Sequence, residues 1–114
     1  MSNTPNLGLE LQPSNSLQPW VAYNDALQVI DALLHLAVED RVTTVPPTTV
    51  EGDEGKRWIV GASATGDWAG HDGEIALCTA PGLWRFIPAR EGFEAWVVDE
   101  EVKVRYESGA WVAV

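Results

Sequence analysis

Apolar residues run almost without interruption through one stretch of the first half of the chain. The polar positions in that stretch are Gln28, Asp31, His35 and Glu39, which fall on one narrow stripe at helical spacing. We therefore predict one long helix over residues 23–41. Its apolar surface is much wider than the ~100° stripe that packs a helix onto a single sheet, so we expect this helix to be covered on two sides.

The segment before the helix, residues 1–22, has the composition of loops and turns, with many Ser, Asn and Pro residues. Apolar residues alternate within it, and alternation places side chains on one face of an extended strand. We predict an extended arm that lies on a neighbouring surface, and the alternative is a frayed terminus. The alternating residues are Leu7, Leu9 and Leu11.

A second subunit is the predicted cover for the additional apolar surface of the helix. The alternative is that the arm or the segment after the helix covers this surface within one chain. Asn24 or Asp25 can cap the first helical turn, because a short side-chain oxygen accepts a bond from a free backbone N–H there. The expected interface side chains are Leu7, Leu9, Leu11, Trp20, Val29, Leu33 and Leu36.

A linker and then a β domain are predicted for the rest of the chain. Residues 42–54 are rich in Thr and Pro, which favour extended structure over helix. The fold class is therefore α+β: an N-terminal extended arm and one long helix, followed by an antiparallel β-meander or small β-barrel over residues 55–114. Turn signals separate the predicted strands, which are 57–60, 74–79, 83–88, 95–98, 101–106 and 111–114.

Five of the six tryptophans lie in this β domain, and each closely follows a glycine. Glycine permits the backbone of a tight turn, and tryptophan supplies a large apolar body that holds the following strand. Trp20 and Trp68 lie outside the predicted strands, so they are the candidates for contact with a glycan. The predicted core or interface anchors are the strand tryptophans Trp58, Trp84, Trp96 and Trp111.

Composition and charge narrow the classes of function. The chain has 114 residues, 46% of them hydrophobic, and a net charge of −10, so we expect one acidic globular domain. The first basic residue is Arg41, which argues against nucleic-acid binding and against a signal or transit peptide. No apolar run reaches the ~20 residues of a membrane span. Cys78 has no cysteine partner within the chain, so we expect a protein made in a reducing cytoplasm.

Motifs that resemble ligand-binding loops each lack a required part. Residues 61–66 have the glycine spacing of a phosphate loop, but Asp67 stands where that loop needs lysine. The acidic clusters at 51–54 and 99–101 do not match a calcium-binding loop and are predicted to be solvated turns. Cys78 lies inside a predicted strand, where a buried and unreactive thiol is expected.

The two histidines do not complete a catalytic or metal-binding pattern either. His35 and Glu39 lie one helical turn apart, but no second histidine stands at metal-ligand spacing. His71 precedes Asp72 in a glycine-rich loop, with no nucleophile in a recognisable strand-to-helix turn. We therefore predict that the protein is not an enzyme and has no catalytic, cofactor-binding or metal-binding residues.

The order and spacing of these segments resemble a domain of unknown function common in phage, prophage and gene-transfer-agent genes of alphaproteobacteria. The resemblance covers nearly the whole chain. It starts with Leu7, Gly8 and Leu9, continues through the helix, and is carried mainly by residues 57–71, 82–88, 95–100 and 106–112. Residues 13–21 depart from the pattern, because they are rich in Ser, Asn and Pro where relatives are rich in Gly, Ala, Gln and Lys. We expect this segment to contact a different neighbour.

The resemblance implies a virion structural protein, made in the cytoplasm of the bacterial host, that forms a tail, fibre or spike assembly or attachment module. Other virion proteins are the implied partners. A homotrimer is expected, because fibres and spikes are usually built around threefold symmetry. The alternative function is a carbohydrate-binding module that contacts host surface polysaccharide. The resemblance implies no catalytic residues, and any receptor-binding tip is expected to lie on another polypeptide or to be absent.

Overall fold

The structure is a computed structural model that describes residues 3–11 and 20–114 of the chain. The chain divides into two compact units, which we call the helical unit (Met1–His35) and the β unit (Leu36–Val114). The described residues form one α-helix and seven strands, which confirms the α+β class. Among them, no helix combines the length and apolar character needed to cross a lipid bilayer.

The helix of the helical unit, α1, spans Trp20–Leu33, so it begins earlier and ends earlier than the predicted 23–41. The Leu34 amide still donates to the Ile30 carbonyl over 2.9 Å, but His35 then takes a positive φ of 54° and ends the helix. The apolar residues that follow belong to a strand. The predicted boundary was wrong because a short apolar run does not distinguish a helix from a buried strand.

The N-terminal segment reverses direction instead of extending. Asn3 and Glu10 form an antiparallel bridge, and Gly8 has a φ of 72°, a left-handed conformation that glycine adopts without strain. The predicted extended arm is therefore wrong over residues 3–11, and its remainder through residue 19 lies outside the described residues. Because the segment turns, three leucines do not share one face of a strand as predicted: Leu7, Leu9 and Leu11.

The β unit contains two sheets. The first has the order β1-β5-β6-β7, in which β1 pairs parallel to β5 and the other pairs are antiparallel. The second has the order β2-β3-β4 and is antiparallel. The described strands therefore form two separate open sheets and no closed barrel. Their bounds are β1 Ala37–Val38, β2 Arg57–Ile59, β3 Ile75–Ala80, β4 Leu83–Ile87, β5 Glu94–Val97, β6 Val102–Glu107 and β7 Ala110–Ala113.

The segment that joins β1 to β2 is bound to the second sheet. The Glu39 amide donates to the Arg57 carbonyl over 2.7 Å, and the Gly61 amide donates to the Thr43 carbonyl over 2.8 Å. Because β1 pairs with the first sheet, the chain passes from one sheet to the other within a few residues. The structure therefore gives residues 42–54 a packing role in the β unit, where the sequence predicted a linker.

A cluster of indole rings fills the core beside the second sheet. Trp58 and Trp84 meet edge to face with ring centroids 5.4 Å apart, and Trp68 meets Trp84 in the same way at 5.1 Å. Such pairs contribute about 0.5–1.5 kcal/mol beyond the area that they bury. Ala76 and Cys78 of β3 belong to the same cluster. The prediction that Trp58 and Trp84 anchor strands in the core is therefore confirmed.

Replacing Gly61 by alanine tests the contact between this segment and β2. An added Cβ would lie 2.7 Å from the Val42 carbonyl oxygen and 2.9 Å from that of Thr43. Both are backbone atoms, so the strain cannot be relieved by a side-chain rotation. We expect Gly61→Ala to lower the free energy of unfolding by about 1–3 kcal/mol, measured by urea denaturation.

Gly52→Ala is the matched control, because a Cβ there meets no atom within 4 Å. Gly52 also has no positive φ, so this variant is expected to unfold at the wild-type urea concentration. If the two variants were equally stable, the close approach of residues 42 and 43 to Gly61 would not exist.

Candidate functional site

Exposed apolar side chains form a stripe along α1 and the residue that follows it, Leu34, whose amide still bonds to Ile30. Tyr23, Ile30 and Leu34 are 47%, 47% and 51% exposed, and Leu27 between them is half-buried. Their successive spacings of four, three and four residues are those of the a and d positions of a heptad repeat. Such spacing places all four on one side of a helix. We call these four residues the α1 stripe.

The α1 stripe differs from the interface that the sequence predicted. Leu36 belongs to the β unit and is only 6% exposed, so its predicted place in an interface is wrong. Val29 and Leu33 are half-buried. The 4-3-4 spacing of the stripe was present in the sequence, but it did not stand out in a helix that is apolar on almost every side.

The other predicted interface residues lie at or before the start of α1. Leu7 is exposed, and Leu9 and Leu11 are half-buried. The side chain of Trp20 lies outside the part of the chain that the structure describes. The structure therefore brings none of these three leucines into the α1 stripe, and the prediction for Trp20 stays a prediction.

A buried carboxylate of α1 holds the N-terminal turn. Asp31 is 1% exposed, and its Oδ1 accepts a hydrogen bond of 2.6 Å from the Thr4 hydroxyl. The amides of Asn6 and Leu7 also donate to this carboxylate. The Thr4 hydroxyl in turn accepts from the Leu9 amide over 2.8 Å. Asp31, which the sequence placed on the narrow polar stripe of the helix, is therefore the residue to which the N-terminal turn is attached.

Hydrogen bonds outweigh burial at this carboxylate. Removal from water raises the pKa of Asp31, but the hydrogen bonds from Thr4, Leu7 and Asn6 lower it. The pKa of Asp31 therefore lies below the ordinary value of 3.8. Asp31 is thus ionised at neutral pH. Its charge stabilises the turn because the Thr4 hydroxyl and the amides of Asn6 and Leu7 all donate to the ionised carboxylate.

The prediction that Trp68 contacts a glycan is wrong, because the side chain of Trp68 has no exposed surface. It packs against Trp58 and Trp84, and its Nε1 finds no acceptor among the described residues. Among the tryptophans whose burial the structure describes, Trp96 is the exposed one, at 46%. Trp96 stands directly opposite Lys103 on the first sheet, on the face away from the buried side chains of Ala95 and Val97.

An open cleft of about 670 Å³ lies between two walls of the β unit. One wall comes from the second sheet and its neighbours, including Arg41, Gly61 and Asp72. The other comes from the first sheet and its turns. Two contacts join the walls: the indole N–H of Trp111 donates to the Gly73 carbonyl over 2.9 Å, and Arg41 pairs with Glu100. Neither contact was predictable, because both join residues distant in sequence.

Both aromatic rings and charged groups line this cleft. Tyr106 and Trp111 lie with ring centroids 5.3 Å apart and planes inclined by 64°. Arg41 contacts Glu100 through two bonds, from Nε at 2.9 Å and from Nη2 at 3.0 Å. The bond from Arg41 lowers the pKa of Glu100 below its ordinary value. That pair is therefore ionised and fixed in orientation.

Asp72 and Asp99 are the other two carboxylates of the cleft. Asp72 accepts bonds from the backbone amides of Ser63 and Ala64 at 2.8 and 3.2 Å, and these bonds lower its pKa. The structure shows no hydrogen bond or ion pair from the carboxylate of Asp99 to any described residue. With three carboxylates and one guanidinium, the cleft has a formal charge of −2.

Two further side chains that could carry chemistry, those of His71 and Cys78, make packing contacts instead. His71 stacks on Phe86 with centroids 3.7 Å apart, and its Nδ1 lies 2.7 Å from Glu74 Oε1. Cys78 is buried, and burial raises the pKa of its thiol. Among the described residues, no three His, Cys, Asp or Glu side chains group so that they could hold a metal ion.

Comparison with known families gives one match. The model of DUF2793, described as a protein of unknown function, matches residues 23–112. The chain belongs to the DUF2793 family. The match covers α1 from Tyr23 onward and the β unit as far as Val112, so both the α1 stripe and the cleft lie within the family domain. No curated protein and no solved structure matches the chain.

Proposed function

We propose that the protein is a bacteriophage virion structural protein, an assembly or attachment module of the tail, fibre or spike that forms a homotrimer through α1. The α1 stripe is the observation that carries this proposal. Exposed apolar side chains in a row on one helix face cost free energy in water, and this cost is removed when like faces pack together. The resemblance to phage and prophage proteins supplies the biological setting.

The identity of the side chains in the stripe favours three or more subunits over two. The spacing assigns Leu27 and Leu34 to a positions and Ile30 to a d position. Leucine at a with isoleucine at d shifts parallel coiled coils towards trimers and tetramers. The seam spans only two heptads, and short helices are marginal on their own, so assembly should depend on protein concentration.

In the proposed role the helical unit binds sister subunits and other virion proteins, and the β unit is a rigid domain. The role requires no catalysis, cofactor or metal. Such a protein would be made in the cytoplasm of the bacterial host and found in the virion. The alternative function, recognition of host surface glycans, is favoured by the exposed ring of Trp96, since tryptophan rings provide apolar stacking surfaces.

A double substitution, Ile30→Asp with Leu34→Asp, tests the trimer. Each change places a carboxylate in the seam, where three copies would repel one another in a desolvated environment. We expect the wild-type protein to sediment as a trimer at high concentration and the variant as a monomer. Analytical ultracentrifugation over a concentration series measures both, and circular dichroism checks that α1 is retained.

Val50→Asp is the matched control, because Val50 is an exposed apolar residue of the β unit. It adds the same charge outside the stripe and should leave the trimer intact. A wild-type protein that is monomeric at every concentration would contradict the proposal, as would a double variant that still forms trimers.

A further inference from the structure

The cleft between the two sheets has the size and lining of a binding site. Pockets that hold small ligands or side chains have volumes of about 300–1,000 Å³, and this cleft measures about 670 Å³. Its two walls are joined by the Trp111–Gly73 bond and the Arg41–Glu100 pair. These contacts fix the two walls relative to each other, so the cleft is formed before a ligand binds.

The charges of the cleft decide which class of ligand it fits. The cleft has a formal charge of −2, in a chain whose net charge is −10. Glu100 is neutralised by Arg41, and the Asp72 carboxylate is partly used by the backbone amides of Ser63 and Ala64. Asp99 is therefore the carboxylate of the cleft to which no described residue donates a hydrogen bond. An anion would be repelled from this site, and a cation would be attracted.

The aromatic rings narrow the class of cation further. Tyr106 and Trp111 line the same cleft as Asp99. A planar guanidinium can lie against an aromatic ring and at the same time donate two parallel hydrogen bonds to a carboxylate. An ammonium group is a compact, strongly hydrated charge that makes weaker use of both features. The combination of rings and a free carboxylate therefore suits arginine better than lysine.

We infer that the cleft of the β unit binds the guanidinium group of an arginine side chain presented by a partner protein. The guanidinium lies against the rings of Tyr106 and Trp111 and donates to Asp99. This inference is independent of the proposed trimer, because it concerns only side chains of the β unit. One arginine provides a weak contact by itself, with an expected Kd in about the millimolar range, and neighbouring contacts in a full complex would strengthen it.

The probe is the tripeptide acetyl-Gly-Arg-Gly-amide, titrated into the full-length protein labelled with ¹⁵N. Two further peptides replace arginine by lysine or by citrulline, a neutral side chain of nearly the same shape. We expect the arginine peptide to shift the indole N–H signal of Trp111 and the amide signals of Gly109 and Ala110. Binding should weaken in the order arginine, lysine, citrulline, and should weaken further when NaCl is raised from about 50 to about 500 mM.

Asp99→Asn removes the proposed acceptor charge and keeps the shape of the side chain. Because Asp99 is exposed, the variant should fold normally, which its spectrum will show. We expect it to bind the arginine peptide about three- to fivefold more weakly, the effect of one exposed charge-assisted bond. Glu54→Gln, which removes an exposed carboxylate outside the cleft lining, should bind as the wild type does.

Four results would overturn the inference. The first is an arginine peptide that shifts no signal of the cleft. The second is equal binding of the arginine and citrulline peptides, because the charge would then be irrelevant. The third is unchanged affinity in Asp99→Asn. The fourth is a neutral oligosaccharide that shifts the Trp111 signal when the arginine peptide does not, which would identify the cleft as a glycan site.

Discussion

Replacing Trp68 by alanine is expected to lower the free energy of unfolding of the β unit by about 3–5 kcal/mol. The Trp68 side chain has no exposed surface, and its ring lies 6.4 Å from that of Trp58 and 5.1 Å from that of Trp84. Those two rings are fixed on β2 and β4, so they cannot collapse into the space that the substitution leaves. Urea denaturation followed by circular dichroism measures the loss.

Trp96→Ala is the control with the same chemical change at an exposed position. Its side chain is 46% exposed, so the expected loss is less than about 1 kcal/mol. Equal losses in the two variants would show that Trp68 is not the buried member of the cluster. Trp68→Phe should cost less than Trp68→Ala, because phenylalanine keeps an apolar ring and removes an indole N–H that has no acceptor among the described residues.

Replacing Asp31 by asparagine is expected to release the N-terminal turn from α1. The carboxylate accepts bonds from the Thr4 hydroxyl and from the amides of Asn6 and Leu7. An amide side chain carries no charge and presents only one acceptor oxygen. We expect the free energy of opening the turn to fall by about 1.5–3 kcal/mol, measured by the hydrogen exchange of the Leu7 and Leu9 amides.

The same carboxylate makes the turn sensitive to acid. Burial raises the pKa of Asp31, but the hydrogen bonds lower it more, and it lies below 3.8. A carboxylate with a depressed pKa in the folded state contributes its full stabilisation above the unfolded value of 3.8 and loses it as the pH falls through the folded pKa. The turn should therefore stay closed at neutral pH and open in acid below 3.8.

Two variants make this prediction specific to the carboxylate. Asp67→Asn makes the same chemical change at an exposed position of the β unit and should leave the exchange of the Leu7 amide unchanged. Thr4→Ser keeps the hydroxyl that donates to Asp31 and should also keep the turn closed. An Asp31→Asn protein whose turn exchanges as slowly as that of the wild type would contradict the role of the charge.

Each of the six predicted strands of the β unit agrees with the structure to within one residue at both ends. This region was predictable because its signals are local: apolar residues alternate at the strand period, and glycine or acidic turns separate the strands. β1 was missed for the same reason. Val38 lies in an apolar run without alternation, and it becomes a strand only because it pairs with Val97, far along the chain.

The candidate sites were less predictable than the strands. The α1 stripe follows a heptad spacing that was present in the sequence, but the end of the helix at Leu33 depends on where the next residues pair. The role of Asp31 depends on a turn more than twenty residues away in the sequence. The cleft depends on two sheets that meet, and no local pattern specifies which of their residues face each other.

The sequence by itself determined the α+β class, the place of six strands and the resemblance to a family of unknown function, because propensity and periodicity act over neighbouring residues. Only the tertiary structure decided which apolar side chains face water. Trp68 is enclosed and Trp96 is exposed, although both closely follow a glycine in the sequence. The physical reason is that burial is set by what packs on a side chain, and those atoms come from distant parts of the chain.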